Sequence, residues 1–145
     1  MIDDNIIVLD NSINSRLLWP DNAEPKNNRY ALHIIEQAER STVFYVPTIW
    51  HYEVTQVAYK LTKSGEITQA DAQNYFNLIA LLPIKTDLRS HSDCFSSTFS
   101  LSLQYNLSIY DSAYLELSLR LGAPLASNDK ALKKAANKAG VIIFE

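Results

Sequence analysis

The sequence has few of the residues that most often shape phosphate-binding loops and cross-links. It contains three glycines, Gly65, Gly122 and Gly140, and a single cysteine, Cys94. Because the glycines lie far apart, the chain has no glycine-rich phosphate loop, which argues against dinucleotide-binding and P-loop folds. A single cysteine forms no internal disulfide, as is typical of proteins in a reducing compartment. No cysteines and histidines have the spacing of a zinc site.

A basic charge and long apolar runs are absent as well. The net charge is −3 and the pI about 5.6, so binding to nucleic acid would depend on local patches or on a metal. No apolar run approaches the roughly 20 residues that a membrane span requires, and no basic n-region of a signal peptide is present. These absences predict a cytoplasmic protein. The 145 residues, 47% of them apolar, predict a single domain over residues 1–145.

Strand-like and helix-like segments alternate along the chain. We expect strands at 6–10, 42–46, 84–86, 125–127 and 141–144. We expect a turn or short helix at 11–19 and helices at 30–39, 48–64, from 68 onwards, 91–105, 108–121 and 130–138. This alternation predicts an α/β fold, a three-layer sandwich with a mainly parallel central sheet flanked by helices.

Four carboxylates, Asp10, Glu53, Asp111 and Asp129, lie where a predicted strand or helix begins or ends. Asp10 ends the apolar run 6–9, and Asp129 follows the strand at 125–127. Glu53 and Asp111 lie in the first turns of two helices. If these segments share one parallel sheet, all four converge at its carboxyl edge, where open α/β sheets bind ligands. Clustered acids repel one another unless a cation holds them, so the pattern predicts a Mg²⁺ or Mn²⁺ site.

Each carboxylate also has a purely structural explanation. Asp10 suits a turn at the end of a strand, and Glu53 suits a boundary position that stabilises a helix dipole. Asp111 matches a capping box with Ser108, and Asp129 matches a helix N-cap. These alternatives stay open for each residue taken alone. The metal site is favoured because four structural roles would otherwise have to coincide along one edge.

Charged residues form stripes on two of the predicted helices. Lys130 and Lys134 lie four residues apart on the last helix, either as a solvated face or as a ridge that contacts RNA phosphates beside Asp129. On the helix at 108–121, Glu116 and Arg120 lie on a narrow polar stripe. We expect these two residues to form an exposed ion pair.

Four blocks of the sequence resemble the PIN domain and, within it, the VapC-like toxins of bacterial and archaeal toxin–antitoxin pairs. They are VLDNS at 8–12, VPTIWHYE at 46–53, LSIYDSAY at 107–114 and LGAPLASND at 121–129. The resemblance implies a metal-dependent ribonuclease that hydrolyses RNA phosphodiester bonds. Its acidic residues match the four carboxylates, which would hold Mg²⁺ or Mn²⁺. Ser12 and Ser127 match positions where the family often has a hydroxyl, whereas Asn11 departs from the commoner small apolar residue.

The resemblance also implies partners. Members of this group form homodimers and are inhibited by a cognate antitoxin that covers the acidic pocket. Two alternatives remain, a PIN-like interaction module without catalysis and a housekeeping RNA-processing nuclease. A haloacid-dehalogenase-like phosphatase is disfavoured, because that chemistry requires a second aspartate where this chain has Ser12.

Overall fold

A four-stranded parallel sheet forms the centre of the molecule. The computed structural model describes residues 5–89 and 91–145. The strands are β1 (Asn5–Leu9), β2 (Thr42–Pro47), β3 (Ile84–Asp87) and β4 (Leu125–Ala126). Their order is β3-β2-β1-β4, and every pairing is parallel. Since β4 pairs with β1 through Val8–Leu125 and Leu9–Ala126, the ends of these two strands lie side by side.

Seven α-helices flank this sheet in the described part of the chain. They are α1 (Asn11–Asn14), α2 (Lys26–Ile35), α3 (Trp50–Lys63), α4 (Gln69–Ile79), α5 (Phe99–Tyr105), α6 (Ile109–Leu121) and α7 (Lys130–Ala139). Short 3-10 helices cover Ser15–Leu17 and Glu36–Arg40, and a π-helix covers Cys94–Thr98. The predicted α/β sandwich with a parallel sheet is confirmed. Among the described helices we find none with the length and apolar character needed to cross a membrane.

The core lies between the sheet and the helices that cover it. Ile7, Val8 and Leu9 of β1 are almost fully buried, as expected for a parallel strand with both faces covered. Helix α6 is the most deeply buried of the described helices, since every residue from 112 to 118 is buried. It ends at Gly122, whose φ of 63° is the left-handed conformation that glycine adopts most readily after a helix.

Three predicted elements differ from the observed ones. The helix predicted at 30–39 begins earlier, at Lys26, and ends in a 3-10 helix. The helix predicted at 91–105 is interrupted by the π-helix, and its α-helical part is only α5. The strand predicted at 141–144 is reduced to one isolated bridge between Leu125 and Ile143. In each case the helical or strand tendency is present, but packing of neighbouring segments sets its extent.

Candidate functional site

Asp10 lies at the carboxyl end of β1, where the chain leaves the sheet. Its backbone N–H donates to the carbonyl of Ala126 at 3.0 Å, so the pairing with β4 continues through this residue. Its side chain is buried, with a relative exposure of 6%. The hydroxyls of Ser12 and Ser127 both donate to Oδ2 of Asp10, at 2.6 and 2.7 Å. The two serines therefore fix the orientation of this carboxylate.

The same two hydroxyls connect Asp10 to the loop before α7. Ser12 Oγ accepts from the backbone N–H of Asn128 at 2.9 Å, and Ser127 Oγ accepts from that of Asp129 at 2.9 Å. Oδ1 of Asp129 in turn accepts from the backbone N–H of Leu132 at 2.8 Å. Asp129 is thus a helix N-cap, as its structural explanation predicted, and it is also placed beside Asp10.

Glu53 lies in the first turn of α3 and is half-buried. The phenolic hydroxyl of Tyr114, on α6, donates to Oε1 of Glu53. The start of α3 is positioned by Asn14, whose Oδ1 accepts from the indole N–H of Trp50 at 3.1 Å. Asn14 also donates to the hydroxyl of Tyr75 at 2.9 Å. Buried hydrogen bonds from α1 and α6 therefore determine where Glu53 points.

Asp111 lies in the first turn of α6, after the N-cap Ser108. Ser108 Oγ accepts from the backbone N–H of Asp111 at 3.0 Å. At α4 both halves of a capping box are present, because the side chain of Asp71 also accepts from the backbone of Thr68. Among the described hydrogen bonds of α6, only the first half appears. The capping box predicted for Asp111 is thus half formed, and the carboxylate is not tied to the backbone of its cap residue.

The four carboxylates, which we call the acidic cluster, influence one another electrostatically. Burial raises the pKa of Asp10, although the Ser12 and Ser127 hydrogen bonds oppose the rise and the charge of Asp129 adds to it. Burial also raises the pKa of Glu53, against the hydrogen bond from Tyr114 and together with the charges of Asp10 and Asp111. Burial and the charges of Asp129 and Asp10 raise the pKa of Asp111 to about 6. No basic side chain is among the main contributors to these three shifts.

The donor set of the acidic cluster fits a hard divalent cation. Carboxylate oxygens are the ligands that Mg²⁺ and Mn²⁺ prefer, and Mg²⁺ is commonly held by only one or two carboxylates plus water. The side chains do not form a closed ligand set as they stand, because no three Asp, Glu, His or Cys residues of the described chain lie close enough to hold an ion. Asp10 is fixed by its serines, so Glu53 and Asp111 would have to turn towards it.

Lys130 and Lys134 lie in the first turns of α7, just after Asp129. The Lys130 side chain is 83% exposed, and its Nζ lies 3.5 Å from Oε1 of Glu24. Lys134 is also exposed. Both side chains are therefore accessible to a large ligand, and the predicted contact with RNA phosphates stays a prediction.

The stripe of α6 that contains Glu116 and Arg120 is covered by other parts of the chain. Glu116 is 5% exposed, so the prediction of an exposed ion pair is wrong. The Arg120 guanidinium donates to Glu116 at 2.8 Å and to Asp87 at 2.5 Å, and it lies 3.6 Å from Asp93. We call these four residues the Arg120 cluster. Packing against the segment 93–105 explains its burial, since Ser102 of α5 donates to Ser112 on the same stripe at 2.7 Å.

Three residues that support the site were not predicted. They are Tyr114, Asn14 and Asn128, whose contacts to Glu53, Trp50 and Ser12 are described above. Tyr114 follows Asp111 by three residues and so shares its helix face. That spacing was the available signal, but its partner Glu53 lies 61 residues away in the sequence. Asn14 and Asn128 gave no pattern of their own.

Sequence comparison finds a protein family and an individual protein that this chain is similar to. A family model for the PIN domain matches residues 7–138. The protein Ribonuclease VapC3 from Pyrobaculum aerophilum is 25% identical over 101 residues, which cover 67% of this chain and 77% of that protein.

Solved structures share the fold. PAE2754 from Pyrobaculum aerophilum superposes with a TM-score of 0.65 over 91% of this chain and 84% of its own. VapBC2 from Rickettsia felis, solved with a DNA fragment from their promoter, superposes with a TM-score of 0.62 over 96% of this chain and 97% of its own. FitAcB from Neisseria gonorrhoeae superposes with a TM-score of 0.62 over 96% of each chain. All three are 14% identical to this chain, so they show a common fold. Together with the model that matches residues 7–138, this fold shows that the chain belongs to the PIN domain family.

Proposed function

We propose that this protein is a metal-dependent endoribonuclease that hydrolyses RNA phosphodiester bonds at Asp10, Glu53, Asp111 and Asp129. The observation that carries the proposal is that Asp10, held by Ser12 and Ser127 beside Asp129, shares a partly buried site with Glu53 and Asp111. Burial, and in smaller part the charges of the other acids, raises the pKa of Asp10, Glu53 and Asp111. Repulsion of this kind is relieved by a bound cation, and clusters of perturbed acids are typical of functional sites. The similarity to Ribonuclease VapC3 supports RNA as the substrate.

Each side chain has a distinct part in this proposal. A bound Mg²⁺ or Mn²⁺ would lower the pKa of a coordinated water and offset charge on the scissile phosphate. Asp10 is the fixed ligand, because Ser12 and Ser127 hold its Oδ2. Glu53 is oriented by Tyr114, and Asp111 and Asp129 complete the ligand set. Lys130 and Lys134 would contact the RNA backbone next to Asp129.

The biological setting is part of the proposal. We assign the chain as the toxin of a toxin–antitoxin pair, acting as a single domain and a homodimer in the cytoplasm. The VapC name of the relative and the VapBC name of one structural neighbour support this setting. The alternative of a housekeeping RNA-processing nuclease is distinguished by the adjacent gene. A small neighbouring reading frame for a DNA-binding protein favours the toxin.

One observation favours a second function, a PIN-like interaction module without catalysis. No three metal-binding side chains of the described residues lie within reach of one ion. Such a module would have no affinity for Mg²⁺ or Mn²⁺. Its four acids would then repel one another without compensation, which is a cost that an interaction module has no reason to keep.

Calorimetric titration with Mn²⁺ decides between the two functions. The wild-type protein should bind Mn²⁺ and melt at a higher temperature with it, and Asp111→Asn should bind more weakly. Without metal, Asp111→Asn should be at least as stable as the wild type, because one repelling charge has been removed. Asp71→Asn is the matched control, since Asp71 occupies the corresponding first-turn position of α4 away from the site.

Two results would contradict the nuclease. One is the absence of Mn²⁺ binding by the wild type, together with lower stability of Asp111→Asn by the amount expected for a lost helix cap, about 0.5–2 kcal/mol. The other is cleavage of RNA by Asp111→Asn at the wild-type rate in excess Mg²⁺.

A further inference from the structure

A groove beside the acidic cluster contains three tyrosines. It has a volume of about 740 Å³, within the range of roughly 300–1,000 Å³ that is usual for ligand sites. Its walls include Asn11, Tyr52, Glu53, Gln56, Tyr59 and Tyr110, and we call it the tyrosine groove. Glu53 belongs both to this groove and to the acidic cluster. A ligand in the groove would therefore touch the proposed reaction centre.

The tyrosine rings of the groove are open to solvent. Tyr52 is 80% exposed, Tyr110 60% and Tyr59 54%. Tyr52 precedes Glu53 on α3, and Tyr110 precedes Asp111 on α6, so an exposed ring adjoins each of these two acids in the sequence. Rings this exposed contribute little to the core. An aromatic cluster of this kind in a concave surface indicates a binding site.

Polar groups of the groove can form hydrogen bonds with the edge of a planar ligand. Oδ1 of Asn11 accepts from Nδ2 of Asn14 at 2.9 Å, which orients the Asn11 amide. The Asn11 amide nitrogen has no hydrogen-bond partner among the described residues and remains a donor for a ligand. Gln56 is exposed in the same wall and can donate or accept. Asn11 is also the residue that departs from the commoner family pattern.

A positive charge lies beside Tyr59, outside the residues that line the groove. Lys63 Nζ is 5.7 Å from the centroid of the Tyr59 ring. Tyr59 follows Glu53 by six residues, or about 9 Å along the axis of α3. Apart from Glu53, none of the described residues in the groove wall carries a charge. The groove therefore runs from a carboxylate at the acidic cluster across aromatic rings, and a lysine lies beside one of these rings, outside the groove walls.

We propose that the tyrosine groove stacks an unpaired base of single-stranded RNA, with the neighbouring phosphate at the acidic cluster. Aromatic rings stack bases of any sequence, amides bond to their edges, and lysine contacts the backbone phosphates. Exposed rings next to the proposed reaction centre and an oriented amide match a nucleotide better than an apolar helix of a protein partner, which would leave that amide without a hydrogen bond. The inference rests on the proposed ribonuclease function and adds that the substrate must be unpaired at this position.

Fluorescence anisotropy in EDTA tests the groove without cleavage. The probe is a labelled random-sequence single-stranded RNA of 12 nucleotides, compared with the same RNA annealed to its complement. The single strand should bind more tightly to the wild type. Tyr52→Ala and Tyr110→Ala should each weaken this binding roughly tenfold, the usual effect of removing one stacking ring. Tyr52→Phe keeps the ring and should keep the affinity. Phe95→Ala is the control, because Phe95 is 98% exposed but lies outside the groove.

Three results would overturn the proposal. The first is wild-type RNA affinity in both alanine variants, and the second is equal binding of single-stranded and paired RNA by the wild type. The third is unchanged RNA binding together with a loss of dimerisation or of antitoxin binding, which would make the groove a protein interface. This assay contains no metal, whereas the Mn²⁺ titration contains no RNA. The anisotropy assay can therefore contradict RNA binding in the groove without contradicting the metal site, and the Mn²⁺ titration can do the reverse.

Discussion

Helix α6 contributes to two groups of clustered acids, and only one of the two groups contains an arginine. Near its start, Asp111 joins the acidic cluster, in which no basic side chain is a main contributor to the pKa shifts. Near its end, the three acids of the Arg120 cluster surround one guanidinium. Burial alone would raise the pKa of Asp87, but the hydrogen bonds and charge of Arg120 outweigh it and lower that pKa. For Asp111 the hydrogen bond with Ser108 does not outweigh burial and the charges of Asp129 and Asp10, and its pKa rises to about 6.

This difference distinguishes a structural role from the functional role that we propose for the acidic cluster. In the Arg120 cluster the compensating cation is part of the chain, and its hydrogen bonds to Asp87 join α6 to β3. In the acidic cluster no basic side chain of the described residues is a main contributor to the pKa shifts, which leaves a place for a cation from solution. Partial burial of acids is thus common to both groups, and the presence or absence of arginine distinguishes them.

The largest expected effect comes from removing the cation of the compensated group. Arg120→Ala should lower the free energy of unfolding by about 2–4 kcal/mol, because it leaves three poorly exposed carboxylates without a partner. Urea denaturation measures this change. Arg89→Ala is the control, since Arg89 is 71% exposed and 3.9 Å from Asp93, and it should cost no more than about 1 kcal/mol. Equal effects of the two substitutions would mean that the Arg120 cluster is not a structural ion network.

A smaller effect, on Mn²⁺ affinity, is expected when the hydroxyl that orients Glu53 is removed. Tyr114→Phe should weaken Mn²⁺ binding about 10- to 100-fold, or about 1.4–2.7 kcal/mol, as is typical when a group that orients a metal ligand is lost. The hydrogen bond from Tyr114 also lowers the pKa of Glu53, so its loss lets protons compete better with metal. Calorimetry provides the measurement.

Tyr75→Phe is the matched control for this substitution. Tyr75 is as deeply buried as Tyr114, but its hydroxyl contacts Asn14 and no carboxylate. It should change stability and affect Mn²⁺ affinity much less than Tyr114→Phe does, because Asn14 keeps its bonds to Trp50 and Asn11 and the hydroxyl on Glu53 is intact. If Tyr114→Phe also binds Mn²⁺ like the wild type, the contact with Glu53 serves only the packing of α3 against α6.

The positions of the acidic cluster can be predicted from the sequence more easily than the burial of the Arg120 cluster, for a physical reason. The position of Asp10 follows from local pattern, because an apolar run ends there and parallel strands end at one edge. The burial of Glu116 depends on the segment 93–105, whose packing no local pattern encodes. A polar residue every four positions looks the same whether its stripe faces water or another helix. The Tyr114–Glu53 contact was missed for a similar reason, since it joins two helices that are distant in the sequence.

The smallest expected effect is a change of apo stability with pH, and its sign distinguishes the two groups of acids. The folded-state pKa of Asp111 is raised from 3.8 to about 6, so the folded protein binds this proton more tightly than the unfolded chain does. The resulting stability is present below the unfolded pKa and is lost as the pH rises through about 6. The raised pKa values of Asp10 and Glu53 act in the same direction. Asp87 acts oppositely, but its lowered pKa affects stability only below the ordinary range of aspartate.

In EDTA, the melting temperature of the wild type should therefore rise by a few degrees when the pH is lowered from about 7.5 to about 5. Asp111→Asn should show a smaller rise, because it lacks the group with the pKa of about 6. Saturating Mn²⁺ should reverse the trend, since protons and metal compete for the same carboxylates and metal stabilises more at high pH. Differential scanning fluorimetry at each pH provides the measurement. A melting temperature that falls on acidification in EDTA would mean that the four acids do not repel one another in the folded protein, and the case for a cation site would lose its electrostatic basis.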